Sequence, residues 1–437
     1  MVTSSMTRVL CATAAAATVT GGGSWVYGSE REQVRPHPKK NAEIAISTSQ
    51  AEKQRMADAV VRRYMASRGI PGLSVSVSVD GRAAWSAGFG YADIETGAPC
   101  TPRSVMRIAS ISKPITATVA ALLVDSGKLD LDKPIQAYLP DFPIKQWNNN
   151  PTTITTRHLL SHTSGIRHYE KAGEEKNKHD GDNHQSEFYY NKKYANISEA
   201  LKMFDEDGLV VETGKYNYTT HGYTLAAAVM EKASGQEFKH LMRDLFARLG
   251  MRHTYLDTNS DIVYDRVKYY SRSKNGKLEN CPEVDNSYKW AGGGVLSCVG
   301  DLLIFGNAIL FSQQASAGEA ARTLLSRETA ADFWKGEVAI SKTFHRCIQS
   351  ALGWMRVDNS AGCKESVISM ETARPLGGFW YHTGGAIGAS SALLVVPSTE
   401  KKGCGNPSGT CVAILVNLQG TCVLELAEEL TDIFRSE

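Results

Sequence analysis

The sequence predicts an α+β fold: one antiparallel sheet built from both ends of the chain, flanked by helices, with a helical lobe inserted between the two contributions. Three observations predict it. Leu73, Val75, Val77 and Val79 alternate with Ser74, Ser76 and Ser78, the pattern of a half-buried strand. Asp80-Gly81 is a two-residue hairpin signal, so residues 82–88 return as a second strand. Near the other end, residues 388–396 and 410–417 are runs of Val, Leu and Ile suited to buried strands.

The elements follow in order. Residues 50–68 read as a helix, with Met56, Val60, Val61, Tyr64 and Met65 at helical spacing and Gly69 as the stop. A long helix is expected over 110–126, with Pro114 in its first turn, where the missing N–H costs little. Further helices are expected from 156–160, 197–204, 221–234, 236–249 and 299–311, and a closing amphipathic helix over 422–434. Residues 171–193 are charged and poor in aliphatics, and read as an exposed, mobile insertion. His179, Asp180, Asp182 and His184 within it read as a solvated loop rather than a metal-ligand set.

Composition excludes several classes. Lys and Arg number 48 against 46 Asp and Glu, a net charge of +2, so nothing favours nucleic acid as a partner. Hydrophobic residues make up 42% of the chain, enough for a packed core. Nine scattered cysteines contain no CxxC pair and read mainly as buried free thiols. The first acidic residue is Glu30, and the Ser-, Thr- and Ala-rich stretch before it reads as a targeting segment. The expected organisation is therefore a targeting segment and linker over 1–49 and one folded domain over 50–437.

Three short motifs carry chemistry. In Ser110-Ile111-Ser112-Lys113, the i, i+3 spacing lets the lysine reach the serine hydroxyl. Serine is a weak nucleophile until a base takes its proton, and a buried lysine can serve because desolvation lowers its pKa. In Tyr216-Asn217-Tyr218-Thr219-Thr220, just ahead of a helix, the Tyr218 phenol can act as phenolate base and then as acid. In His382-Thr383-Gly384-Gly385, entering an expected edge strand, the Gly385 N–H can join that of Ser110 as an oxyanion hole. Each motif alone is weak. Their order in one chain is specific.

That order resembles the serine penicillin-recognising enzymes, and within them the class C β-lactamase group. Leu159-Leu160-Ser161-His162-Thr163-Ser164-Gly165 and Gly222-Tyr223-Thr224-Leu225 are similar to segments of that group. Residues 105–113, 165–170, 284–294 and 382–391 resemble its animal mitochondrial branch, the serine β-lactamase-like family. The resemblance implies a β-lactamase/transpeptidase-like fold with Ser110, Lys113 and Tyr218 catalytic and no cofactor or metal. Gly385, His382, Thr383, Gly384 and Thr220 would line the oxyanion and substrate site. It further implies a mitochondrial intermembrane-space enzyme that assembles into homo-oligomeric filaments, associates with membranes through them and affects lipid metabolism.

Two departures bear on substrate. Thr220 stands where the antibiotic-hydrolysing enzymes carry Asn, and His382 where many relatives carry Lys. A partly charged histidine would make carboxylate recognition weak or pH-dependent, so activity is expected to follow the titration of His382. The reading is a serine acyl hydrolase acting on a peptide, small amide or ester through an acyl-enzyme. Two alternatives stand beside it: a filament-forming structural protein with a vestigial site, and an esterase using the same residues.

Overall fold

The computed structural model describes residues 49–169, 187–340, 348–357, 378–398 and 405–435. The nine strands of its main sheet are β1 (Gly72–Val79), β2 (Arg82–Asp93), β3 (Ala98–Pro99), β4 (Val338–Ala339), β5 (Ile348–Ser350), β6 (Met355–Val357), β7 (Phe379–Ala386), β8 (Ala389–Pro397) and β9 (Gly409–Val416). Their order is β4-β5-β6-β7-β8-β9-β1-β2-β3, with every pairing antiparallel. The two ends of the chain meet where β1 lies against β9, in a register that puts Leu73 opposite Val416 and Val79 opposite Thr410.

The helices are α1 (Gln50–Arg68), α2 (Ser112–Asp125), α3 (Thr156–Leu160), α4 (Ile197–Leu201), α5 (His221–Ser234), α6 (Phe238–Leu249), α7 (Trp290–Gly293), α8 (Val299–Gln314), α9 (Arg327–Trp334) and α10 (Leu424–Phe434). Helices α1 and α10 cover one face of the sheet, where Val61, Leu73, Val75, Val77, Ile414 and Leu430 form one core. The opposite face is covered by α8, whose Gly306 lies against Leu393, Val395 and Cys411. The helical lobe fills the space between β3 and β4 in the chain.

β1 is not half-buried as its alternation predicts. It is buried on both faces, because α8 covers the serine side. The serine hydroxyls find partners there: Ser74 donates to the Thr101 carbonyl at 2.7 Å, Ser76 to the Trp85 carbonyl at 3.2 Å, and Ser78 pairs with the Asn307 amide. Short hydroxyls on a doubly covered strand are tolerated because each is satisfied. Among the described cysteines, Cys100, Cys298 and Cys411 are buried free thiols, and Cys281 is a partly buried one.

The expected mobile insertion needs a correction at its end. Residues 170–186, with the four residues weighed as metal ligands, lie outside the described residues. Glu187, however, is buried in a short 3-10 turn at Glu187–Tyr189. Both its oxygens accept from Arg167, at 2.8 and 2.9 Å, and Oε2 also accepts from His221 Nε2 at 2.9 Å. Arg167 also holds Asp207 at 2.6 Å. A count of charge and polarity does not detect one acidic residue with a buried partner.

Removing one member of a buried ion pair strands the other charge, which costs about 3–5 kcal/mol. Glu187→Ala is therefore expected to lower unfolding free energy by about that amount, measured by urea titration at neutral pH. Burial alone would raise the Glu187 pKa, but the hydrogen bonds from His221 and Arg167 outweigh it and hold the value below 4.5. The stabilisation is thus present above that pH and lost as pH falls through the lower folded value, so the gap between wild type and variant should close in acid.

Candidate active site

The site forms where three backbone segments converge on the start of α2. A two-residue strand, Met106–Arg107, pairs with Val295–Ser297 and delivers the chain to a 3-10 turn at Ala109–Ile111. The sequence predicts a helix from residue 110, but α2 starts at Ser112, so Ser110 sits in the tighter turn ahead of it. Ala109 has φ of +50°, a left-handed conformation that costs a residue with a Cβ about 1 kcal/mol or more. Surrounding contacts hold this turn in place. Ser112 Oγ donates to the Ala109 carbonyl at 2.6 Å, Ile108 N–H to the Val295 carbonyl at 3.0 Å, and Ser391 Oγ to the Ile108 carbonyl at 2.8 Å. Upstream, Arg107 is anchored to Asp257 at 2.9 Å and to the Ile387 carbonyl at 2.9 Å.

The structure brings Ser110, Lys113 and Tyr218 together. Tyr218 Oη donates to Ser110 Oγ at 2.7 Å, and Lys113 Nζ lies 3.1 Å from the same oxygen. Lys113 is fully buried, with Nζ 2.6 Å from the Gly292 carbonyl and 3.3 Å from Thr220 Oγ1. Burial, and then the nearby Lys289, push its pKa well below the ordinary 10.5. A neutral amine fits these neighbours: two N–H groups reach Gly292 and Thr220, and the lone pair accepts from Ser110. Burial pushes the Tyr218 phenol above its usual value of 10, despite its bond to Ser110. The resting group is therefore a phenol. This corrects the expectation of a phenolate base and leaves Lys113 as the basic member.

The remaining expected site residues divide. Thr220 is buried and turned toward Lys113 rather than toward open space, so it holds the lysine instead of lining a substrate surface. His382 is also buried, with Nδ1–H donating to the Thr383 carbonyl at 2.7 Å. Burial and the neighbouring Lys113 hold its pKa at about 3 against a weaker opposing effect of that hydrogen bond. His382 is thus neutral across physiological pH, which corrects the expectation that activity follows its titration. Thr383 is buried, while Gly385 is exposed with open space where a Cβ would stand.

β7 is also not a simple edge strand. It is paired with β8 from Trp380↔Val395 to Ala386↔Ala389. Among the described residues, its pairing with β6 stops at Tyr381. The stretch from His382 to Gly385 therefore keeps one side free of strand pairing beside the serine turn. A Cβ on Gly384 would sit 2.2 Å from Ser391 Oγ, 2.4 Å from the Ile108 carbonyl and 2.9 Å from Ala109 Cβ. Gly384 is the residue that lets the strand lie against the serine turn.

Several residues at the site carry no motif signal of their own. Gly292 supplies a carbonyl to Lys113, and a Cβ there would meet Thr220 Cγ2 at 2.5 Å. His168 Nδ1 accepts from Thr220 N–H at 3.2 Å. Lys289 is buried with its ammonium 5.0–5.2 Å from the ring centres of Tyr169, Phe188 and Tyr288. Burial and the charge of Arg107 bring its pKa to about 7. A glycine beside a motif is a visible signal. Contacts made across distant sequence positions are not.

Gly384→Ala should force the strand from the serine turn, lowering stability by about 1–3 kcal/mol and slowing covalent modification of Ser110. Gly385→Ala adds a methyl group to open space and should leave unfolding free energy within about 0.5 kcal/mol of wild type. Denaturant titration of the two variants side by side checks the contrast.

Comparison with known proteins agrees with this architecture. The Beta-lactamase family model matches residues 57–431. The chain is 36% identical to the serine beta-lactamase-like protein LACTB, mitochondrial, of Bos taurus over 449 aligned positions, covering 88% of this chain and 78% of that one. Among solved structures, a class C beta-lactamase superposes with a TM-score of 0.66 at 16% identity, covering 91% of this chain and 100% of the other. The octameric penicillin-binding protein homologue from Pyrococcus abyssi gives a TM-score of 0.66 at 22% identity, covering 85% and 75%. With the family model spanning most of the chain and a relative above 30% identity over most of its length, this protein belongs to the beta-lactamase family.

Proposed function

We propose that the protein is a serine acyl hydrolase acting on peptide or amide bonds through an acyl-enzyme on Ser110. The observation that carries the reading is the shared position of Ser110 Oγ, within hydrogen-bond reach of both Lys113 Nζ and Tyr218 Oη. In the first step, Ser110 Oγ–H gives its proton to the Lys113 lone pair as Oγ bonds to the substrate carbonyl carbon. The carbonyl π electrons move to oxygen, and the Ser110 and Gly385 amides hold that oxyanion. Tyr218 then protonates the departing amine as the C–N bond breaks, and the Lys113 ammonium, which lies against the Tyr218 ring, returns a proton to the phenolate. Water reverses the sequence, adding to the acyl carbon and releasing a carboxylic acid.

Neutral His382 favours uncharged substrate groups over carboxylates at the third motif. It also favours the second reading, an esterase using the same residues. The mammalian relative is named mitochondrial, and this reading places the chain in that organelle behind a cleaved leader. Homo-oligomeric assembly is in keeping with the octameric homologue, and filaments in the intermembrane space, membrane association and a link to lipid metabolism complete the reading on the family resemblance.

The chemistry requires Lys113 deprotonated. Its folded pKa is lowered, so the rate of Ser110 acylation should rise with pH along a limb centred well below 10.5 and fall away as acid protonates the amine. The check is the rate of covalent modification by a fluorophosphonate, followed by intact mass across pH. Ser110→Ala should give no adduct, Lys113→Met should lose the limb, and His382→Gln should leave its midpoint in place. An unlabelled wild type, folded by circular dichroism, would favour a structural role.

A further inference from the structure

His162 lies outside the proton path drawn above, yet it touches the residues on both sides of Tyr218. Its carbonyl accepts from the Asn217 N–H at 2.7 Å, and its ring Nδ1 accepts from the Thr219 N–H at 3.1 Å. One residue thus binds the backbone immediately before and immediately after the tyrosine. The imidazole also lies on the phenol ring, with centroids 4.3 Å apart and planes 33° from parallel. Tyr223 and Tyr216 flank it at 5.3 and 6.1 Å.

Two further features tie this arrangement to a purpose beyond filling space. His162 holds φ of +61°, a left-handed conformation that is uncommon outside glycine. Its neighbours keep it there: Thr163 N–H donates to the His158 carbonyl at 2.8 Å, and Gly214 N–H to the Thr163 carbonyl at 2.7 Å. Accepting at Nδ1 also requires the neutral ring with its proton on Nε2. A protonated imidazole has no acceptor to offer Thr219. Complete burial favours that neutral form.

We propose that His162 is a positioning residue that fixes Tyr218 Oη against Ser110 by clamping the 217–219 backbone and stacking on the phenol. The inference rests on the Ser110–Lys113–Tyr218 reading. A hydroxyl placed about 1 Å wrong can cost about 100-fold in rate, so the clamp acts on the chemical step rather than on binding.

Two substitutions separate this role from packing, and both residues tolerate a left-handed backbone. His162→Gly removes the ring and the Nδ1 acceptor. His162→Asn removes the ring but returns an acceptor oxygen to Thr219. Fluorophosphonate modification of Ser110 is measured at several reagent concentrations to separate the maximal rate from half-saturation. The Gly variant should lose about 100-fold in maximal rate with half-saturation unchanged, and the Asn variant should recover at least about tenfold of that loss. Equal losses in the two variants, or a loss confined to half-saturation, overturn the proposal. A second readout does not depend on turnover: 3-fluorotyrosine placed at position 218 and followed by fluorine NMR. Its resonance should move and broaden in the Gly variant and return toward wild type in the Asn variant, whereas identical spectra in all three proteins reject the clamp. Should wild-type Ser110 fail to label, the hydrolase reading falls while the NMR comparison still decides the role of His162.

Discussion

The structure around this site depends on one constraint, the burial of Lys113. An ammonium group taken out of water is costly, and a neutral amine is much less so. Among the described residues, that amine has no carboxylate partner. The protein offers it one carbonyl, from Gly292, two hydroxyls, from Ser110 and Thr220, and the rings of Tyr218 and Tyr223 at 4.6 and 5.4 Å. An acidic neighbour would restore the charge and remove the base. The acidic groups near the site are kept apart from the lysine, in the Arg167–Glu187–His221 network and in the Arg107–Asp257 pair. Each of those carboxylates is already satisfied by its own arginine.

The close packing of backbone follows from the same constraint. To seal Lys113 from water, α2, α7, the Thr220 turn and β7 must approach within van der Waals contact. Glycine sits at the tightest approaches. Gly292 lies on Thr220, Gly384 on Ile108 and Ala109, and a Cβ on Gly353 would meet Ala117 at 2.6 Å and the Lys113 carbonyl at 3.0 Å. The left-handed Ala109 is held in the middle of these contacts, so the surrounding packing sustains a turn that local propensity opposes.

Much of this was legible in the sequence where the signal is local. The hairpin at Asp80-Gly81, helix α1 and helix α5 lie where periodicity and turn chemistry place them. The serine and lysine three residues apart do meet, and Tyr218 reaches them from 108 residues away. What the sequence hid is long-range. The serine face of β1 looks solvent-facing until α8, more than 200 residues later, covers it. Glu187 looks like one more charge in a polar stretch until Arg167 binds it. His382 looks like a titrating switch until its burial beside Lys113 is known. In each case the side chain's chemistry was readable, but its environment belongs to residues far away in the chain.

The neutrality of the histidines gives the proposed chemistry its electrostatic sense. His162 and His382 are buried and His168 is half-buried, and desolvation depresses all three. Before attack, the pocket thus holds little net charge beyond the weakly basic Lys289. When Ser110 transfers its proton, an ammonium appears on Lys113 as an oxyanion appears on the substrate. Two opposite charges created together in a dry pocket attract far more strongly than the same pair in water, because the effective dielectric is lower. A permanently cationic third motif would favour substrate carboxylates and oppose protonation of Lys113. Replacing it with a buried neutral histidine gives up ground-state recognition of an anion and leaves the field available to the charge that develops during reaction. Under the proposed hydrolase reading, the departure from lysine at position 382 alters the substrate class and leaves the Ser110–Lys113–Tyr218 chemistry in place.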